Sequence, residues 1–272
     1  MSSHTSSPQL QDGLNLLAES QIDGAIRDVR RISDSTSTDL SWEQRILIGR
    51  AAIGTFEATG FMRLPNHRDD RIFVVNSLQR LAYHEADGNS VADIAQWCME
   101  QWLSLLQRSS EDLDALRGVG QAWLARSQIA LARIHRVEGS SSSGSSGRPH
   151  SMSERMSYSS AEEARDAERA IMEADARAHT ADYVEARGML IPAVDYFVRA
   201  VELADRDGGT TGELLSEAAE INMSLGNVEY SQNQEQYFTR AIRYLRRASQ
   251  IQEFRLSPYL QSYLDDYGRL ID

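Results

Sequence analysis

Apolar residues recur every three to four positions along almost the whole chain, and no segment shows the alternation by two that a half-buried strand requires. With only five prolines in 272 residues, little interrupts this pattern. Such a chain is confined to an all-α fold whose helices bury one stripe each. The stripe starts at Leu10, Leu14, Leu17, Ile22, Ile26 and Val29, predicting a helix over 9–33. Ser41 with Gln44 three residues on is a capping-box pattern and opens a second helix, running to about Met62. A third is predicted over 69–86, carrying Ile72, Val75 and Leu78. A fourth over 90–107 carries Ile94, Trp97, Cys98, Trp102 and Leu105. A long fifth helix begins near Ser109 or Ser110 and ends at Gly139. After a break, further helices are predicted at about 160–180, 182–206, 213–231, 235–256 and 258–270. The sum is nine to ten helices.

The break is abrupt. Residues 139–160 hold 11 serines and almost nothing apolar, so they cannot offset the entropy of ordering. The expected organisation is therefore a disordered tail at 1–8, an N-terminal helical part at 9–138, a disordered Ser/Gly-rich insert at 139–160, and a C-terminal helical part at 161–272. In the insert, Arg148 stands three residues before Ser151, a spacing that basophilic kinases favour. Ser151, Ser153 and Ser157 are the phosphorylation candidates.

Composition narrows function. All 28 cationic side chains other than histidine are arginine; the chain has no lysine. An even split of its 25% charged residues would give roughly 17 lysines. A lysine-free chain offers no side-chain amine to ubiquitin, acetyl or methyl marks. A P-loop and Schiff-base catalysis are excluded for the same reason. The net charge of −12 argues against a nucleic-acid partner and suits a basic protein client. The one cysteine, Cys98, cannot form an intramolecular disulfide, and no apolar run is long enough to span a membrane. The N-terminus lacks the apolar core of a secretory signal, so a cytoplasmic or nuclear location is expected. None of the six histidines falls in a metal-binding pattern, so no metal, other cofactor or catalytic residue is assigned. Cys98, between two tryptophans, reads as a small core residue rather than a nucleophile.

Leu225-Gly226-Asn227 with Tyr230, followed by Ala241, Leu245 and Ala248, resembles the tetratricopeptide repeat, in which a glycine on one helix and small residues on the next let an antiparallel pair approach closely. Ala193, Phe197 and Ala200 repeat the second-helix pattern. Val119-Gly120 with Trp123, then Ala167, Ile171 and Ala174 beyond the insert, form a third match. The resemblance covers about 110–256. It departs from the family in a turn before Ala241 that is about three residues too long, and in the 48-residue spacing of the two second-helix matches. It implies antiparallel helix pairs stacked as a right-handed solenoid, with a groove that takes a protein partner. Asn227 stands where the family's clamp for chaperone C-terminal tails carries asparagine, but Met223 stands where that clamp has lysine, so chaperone-tail binding is not expected. Arg243, Arg246 and Arg247 form a cationic strip suited to an acidic segment. The resemblance implies a non-enzymatic adaptor, and the absence of lysine suggests that it acts beside a ubiquitin ligase or another lysine-modifying complex. An acidic chaperone or assembly factor for a basic client is the alternative.

Overall fold

The expected periodicity becomes ten α-helices and two short 3-10 turns in the computed structural model, which describes residues 8–34, 40–84, 91–142 and 160–270. The phosphorylation candidates Ser151, Ser153 and Ser157, and all but the last residue of the 1–8 tail, lie outside these residues. No strand occurs among the described residues, and none of the helices is long and apolar enough to cross a membrane. The chain divides into two compact units at Ser110–Glu111, between the fourth and fifth helices, whereas the sequence reading divides it at the Ser/Gly-rich insert. The helices on both sides of the insert, ending at Ser142 and starting at Ser160, belong to the second unit.

The first unit contains α1 (Pro8–Ser33), α2 (Trp42–Thr59), α3 (Arg68–Ala82) and α4 (Ala92–Arg108). Ser41 and Gln44 close the predicted capping box at the start of α2. Gly60, at φ 67°, ends that helix in the left-handed region that favours glycine. A 3-10 turn, Phe61–Arg63, follows. The core is built from large side chains: Phe56, Phe61, Leu78, Ile94 and Trp102 are all fully buried. Gly49 makes room for two of the leucines, since a Cβ there would meet Leu81 at 3.0 Å and Leu78 at 3.3 Å. Two buried indoles are paired across helices. The Trp102 indole N–H donates to Gln79 Oε1 at 2.9 Å, and the Trp97 indole N–H donates to Glu57 at 2.6 Å. Arg71, also buried, donates to the carbonyls of Met62 and Leu64.

The second unit contains α5 (Leu113–Ser142), α6 (Ser160–Ala178), α7 (Ala181–Asp207), α8 (Gly212–Val228), α9 (Ser231–Ser249) and α10 (Pro258–Tyr267). Helix α5 runs to Ser142, three residues beyond its predicted end at Gly139. Its partner is α7, not the α6 that follows it in sequence. Glu111 pairs with Arg206 just ahead of α5, Gly120 lies on Phe197, and Arg133 pairs with Asp182 and Glu185. Residue numbers thus rise along α5 as they fall along α7, and the two helices are antiparallel. A short turn joins α8 to α9 as a second antiparallel pair. Helix α10 then packs Leu260 against Ala219, Met223, Ala241 and Leu245 of that pair.

Helix α9 begins at Ser231 and ends at Ser249, earlier at both ends than the predicted 235–256. Its end is set by a return of the chain: Glu253 takes φ 67°, and Phe254 lies on Gly212, where a Cβ would meet its ring at 2.1 Å. The early start removes the long turn expected before Ala241, because only Glu229 and Tyr230 separate α8 from α9.

Candidate partner-binding surface

The α5–α7 and α8–α9 pairs are built on the same contact. A Cβ on Gly120 of α5 would lie 2.5 Å from the Phe197 ring of α7, and one on Gly226 of α8 would lie 2.9 Å from the Phe238 ring of α9. In each pair a glycine on the earlier helix receives a phenylalanine ring, which lets the backbones approach. Around these contacts run fully buried alanines: Ala193 and Ala200 on α7, Ala241 and Ala248 on α9. Leu225, Gly226 and Leu245 are buried with them. All eight proposed packing residues therefore lie in the interior, with one change of register: Gly226 meets Phe238, about one turn before Ala241.

The third sequence match is corrected. Val119 and Gly120 are interior residues of α5, but the helix they meet is α7, which already carries Ala193 and Phe197. The alternative partner, the Ala167, Ile171 and Ala174 stripe of α6, lies at the surface, with Ile171 52% and Met172 66% exposed. The insert separates helices that would otherwise be sequence neighbours, so the rule that adjacent helices pair gives the wrong partner here.

Helix α6 is instead tied down at its C-terminal end. The buried Arg187 of α7 donates to the carbonyls of Ala178 and Val228, both at 2.7 Å, and to the Tyr230 hydroxyl at 3.2 Å. Its guanidinium also lies over the Tyr230 ring, 4.4 Å from the centroid. Asp175 accepts from the Ser231 backbone N–H at 2.9 Å, a bond that lowers its carboxyl below the usual range. One arginine thus joins three helix ends and satisfies two carbonyls that have no partner within their own helices. Sequence reasoning missed this residue. The available signal is a cation flanked by the apolar positions Ala186 and Leu190.

The expected cationic strip is not presented as a set. Arg246 donates to the Gly268 carbonyl at 2.6 Å and so fastens the end of α10. Arg247 pairs with Asp205. Arg243 is exposed, as is Asn227. Met223, at the position that would hold the clamp lysine, faces the interior cluster with Leu260.

A different stripe faces solvent along α8: Glu213, Glu217, Glu220, Ser224 and Asn227, at the three- to four-residue spacing of one helix face. Arg117 of α5 donates to both Glu217 oxygens at 2.6 and 2.7 Å, and Gln121 adds a bond at 3.0 Å. The Glu217 carboxylate raises the Arg117 pKa further. Packing around the Glu220 carboxyl, together with the Glu217 charge, holds its pKa above the ordinary value. A carboxylate held in this way gains from any cation brought beside it. The spacing of these glutamates is readable in the sequence; what it does not show is that α8 turns them outward together.

Cys98 is sealed in the first unit, its thiol 3.6 Å from the Val75 carbonyl and raised well above its ordinary pKa by burial. Thiolate chemistry is correspondingly disfavoured. Among the described residues no three His, Cys, Asp or Glu side chains are grouped to hold a metal ion. No family model, no curated protein and no solved structure matches this chain.

Proposed function

We propose that this chain is a non-enzymatic protein-interaction adaptor whose α5–α7 and α8–α9 pairs stack in the manner of tetratricopeptide repeats, and that it works beside a ubiquitin ligase or another lysine-modifying complex. The observation that carries the scaffold reading is the repeated glycine-on-phenylalanine approach in the two pairs. Helix pairs built on one contact stack into extended surfaces that bind protein segments. The absence of lysine supports the second half, since a lysine-free chain escapes modification by its own neighbours. The test installs lysine at exposed arginines, Arg243 and Arg136 among them, and follows half-life and conjugates in cells. New ubiquitin conjugates with a shortened half-life are expected. An unchanged half-life without conjugates overturns the placement beside a ligase. Partners should be captured with carboxyl-directed crosslinkers, because lysine is absent and the single thiol is buried.

The α8 carboxylates favour a second reading, an acidic chaperone or assembly factor for a basic client. Two of the three arginines proposed for an acidic partner are engaged within the chain, whereas Glu213 and Glu220 face solvent. Under this reading client binding weakens steeply as ionic strength rises. Affinity that is flat with salt argues for apolar contact and against a basic client.

A further inference from the structure

One face of α3 carries Ser77, Arg80 and Leu81, at positions i, i+3 and i+4, and His84 follows two residues beyond the end of the helix. This face forms one wall of a cleft of about 400 Å³ within the first unit, whose other walls are Ile32 and Ser33 at the end of α1 and Leu40, Trp42 and Arg45 at the start of α2. Its lining holds two guanidinium groups and an imidazole. Among the described residues it holds no carboxylate, on a chain whose net charge is −12.

The cleft is held in shape by its own side chains. Arg45 is held by donation to the Ile32 carbonyl at 2.6 Å. Trp42 and His84 stack, with centroids 4.7 Å apart and planes at 26°, to form an aromatic lip. Ser77 supplies the second, independent observation. It is only 5% exposed, it lines the cleft, and its hydroxyl has no hydrogen-bond partner. A helical serine ordinarily bonds back to the preceding turn, and leaving a buried hydroxyl unpaired is costly. This one is unpaired in a lining that also holds Arg45 and Arg80.

We propose that the cleft is a binding site for a phosphate monoester. The potential donors Ser77 and Arg80 of α3, Arg45 of α2 and His84 just beyond α3 line one volume, which suits the three terminal oxygens of a monoester better than the two of a carboxylate. The apolar and aromatic walls, Ile32, Leu81 and Trp42, suit the short body that carries the phosphate, and 400 Å³ exceeds what a bare inorganic anion fills. With no lysine in the chain, arginine forks are its means of binding phosphate. The same chemistry serves a small phosphorylated metabolite or a phosphorylated side chain of a partner.

The test titrates the full chain by calorimetry, with tryptophan fluorescence in parallel, against phenyl phosphate, a blocked phosphoserine, inorganic phosphate and benzoate. Saturable binding of phenyl phosphate or phosphoserine is expected, stronger than that of inorganic phosphate. The tighter of the two indicates whether the source is a small molecule or a modified protein. Arg80→Gln, a surface change, should weaken binding about tenfold, the loss expected for one charge-assisted contact. Ser77→Ala should weaken it severalfold without lowering the unfolding midpoint, because the hydroxyl makes no bond in the unliganded chain. Absence of saturable binding up to about 10 mM, too weak for a built site, overturns the proposal. So does binding indifferent to Arg80→Gln and Ser77→Ala, or benzoate binding as tightly as phenyl phosphate.

Discussion

In the first unit, Phe56, Phe61, Trp97 and Trp102 fill the space between helices, and the two indole N–H groups are matched by Glu57 and Gln79. In the second unit the corresponding space is narrow. Ala186, Ala193, Ala200, Ala204, Ala218, Ala219, Ala241 and Ala248 are all at or near zero exposure, and single phenylalanine rings pack against glycines. Large rings need individual pockets, so the first unit packs irregularly and its pattern does not recur. Small residues at helical spacing leave a seam that the next pair can repeat. Repetition in this molecule thus follows from side-chain size at the interface more than from hydrophobicity, which both units share.

The comparison can be broken most severely at Trp102. Trp102→Ala removes a fully buried ring and its hydrogen bond to Gln79, and should cost about 3–5 kcal/mol, read as a drop in the urea midpoint. A cost near 1 kcal/mol would show that the first unit does not depend on its rings. Next is Arg187→Met in the second unit, which keeps the volume but strips two carbonyls and the Tyr230 hydroxyl of their donor. The expected cost is about 2–3 kcal/mol, with faster amide exchange at the C-terminal end of α6. The seam itself is probed by Gly120→Ala, which forces a methyl to 2.5 Å from Phe197 and should cost about 1–3 kcal/mol. Gly226→Ala, at 2.9 Å, should cost less, and the reverse order would dissolve the analogy between the two pairs.

The smallest effect concerns charge. The Glu220 pKa is raised in the folded chain, so its protonated form favours folding at acidic pH, and that contribution is lost as pH rises through the folded pKa. Glu220→Gln should therefore stabilise the chain at pH 7, by roughly 0.5 kcal/mol or less given solvent screening, and should make little difference near pH 4. Equal gains at both pH values would show that its charge plays no part.

The helices were legible because their apolar stripes are long and their caps conventional, as at Ser41 and Gln44. The interior positions Gly226, Leu245 and Ala248 were legible too, since small and apolar residues at fixed spacing have one reasonable place to go. Pairing was not. Gly120 meets Phe197 across more than 70 intervening residues, and no local pattern distinguishes that partner from the stripe on α6. Charged residues were the least legible. Arg71 and Arg187 are buried as donors to helix-end carbonyls, while the neighbouring pair Arg246 and Arg247 is divided between a carbonyl and a carboxylate. A guanidinium looks the same in sequence whether it meets solvent or a helix end, and only the packing of the helices decides which.

The burial of Cys98 turns the chain into its own reporter. A thiol-labelling reagent cannot reach this side chain, between Val75 and the tryptophans of α4, until α3 and α4 separate. With no second thiol to contribute a background, the rate of modification in plain buffer times the opening of the first unit alone, with no probe added to the molecule.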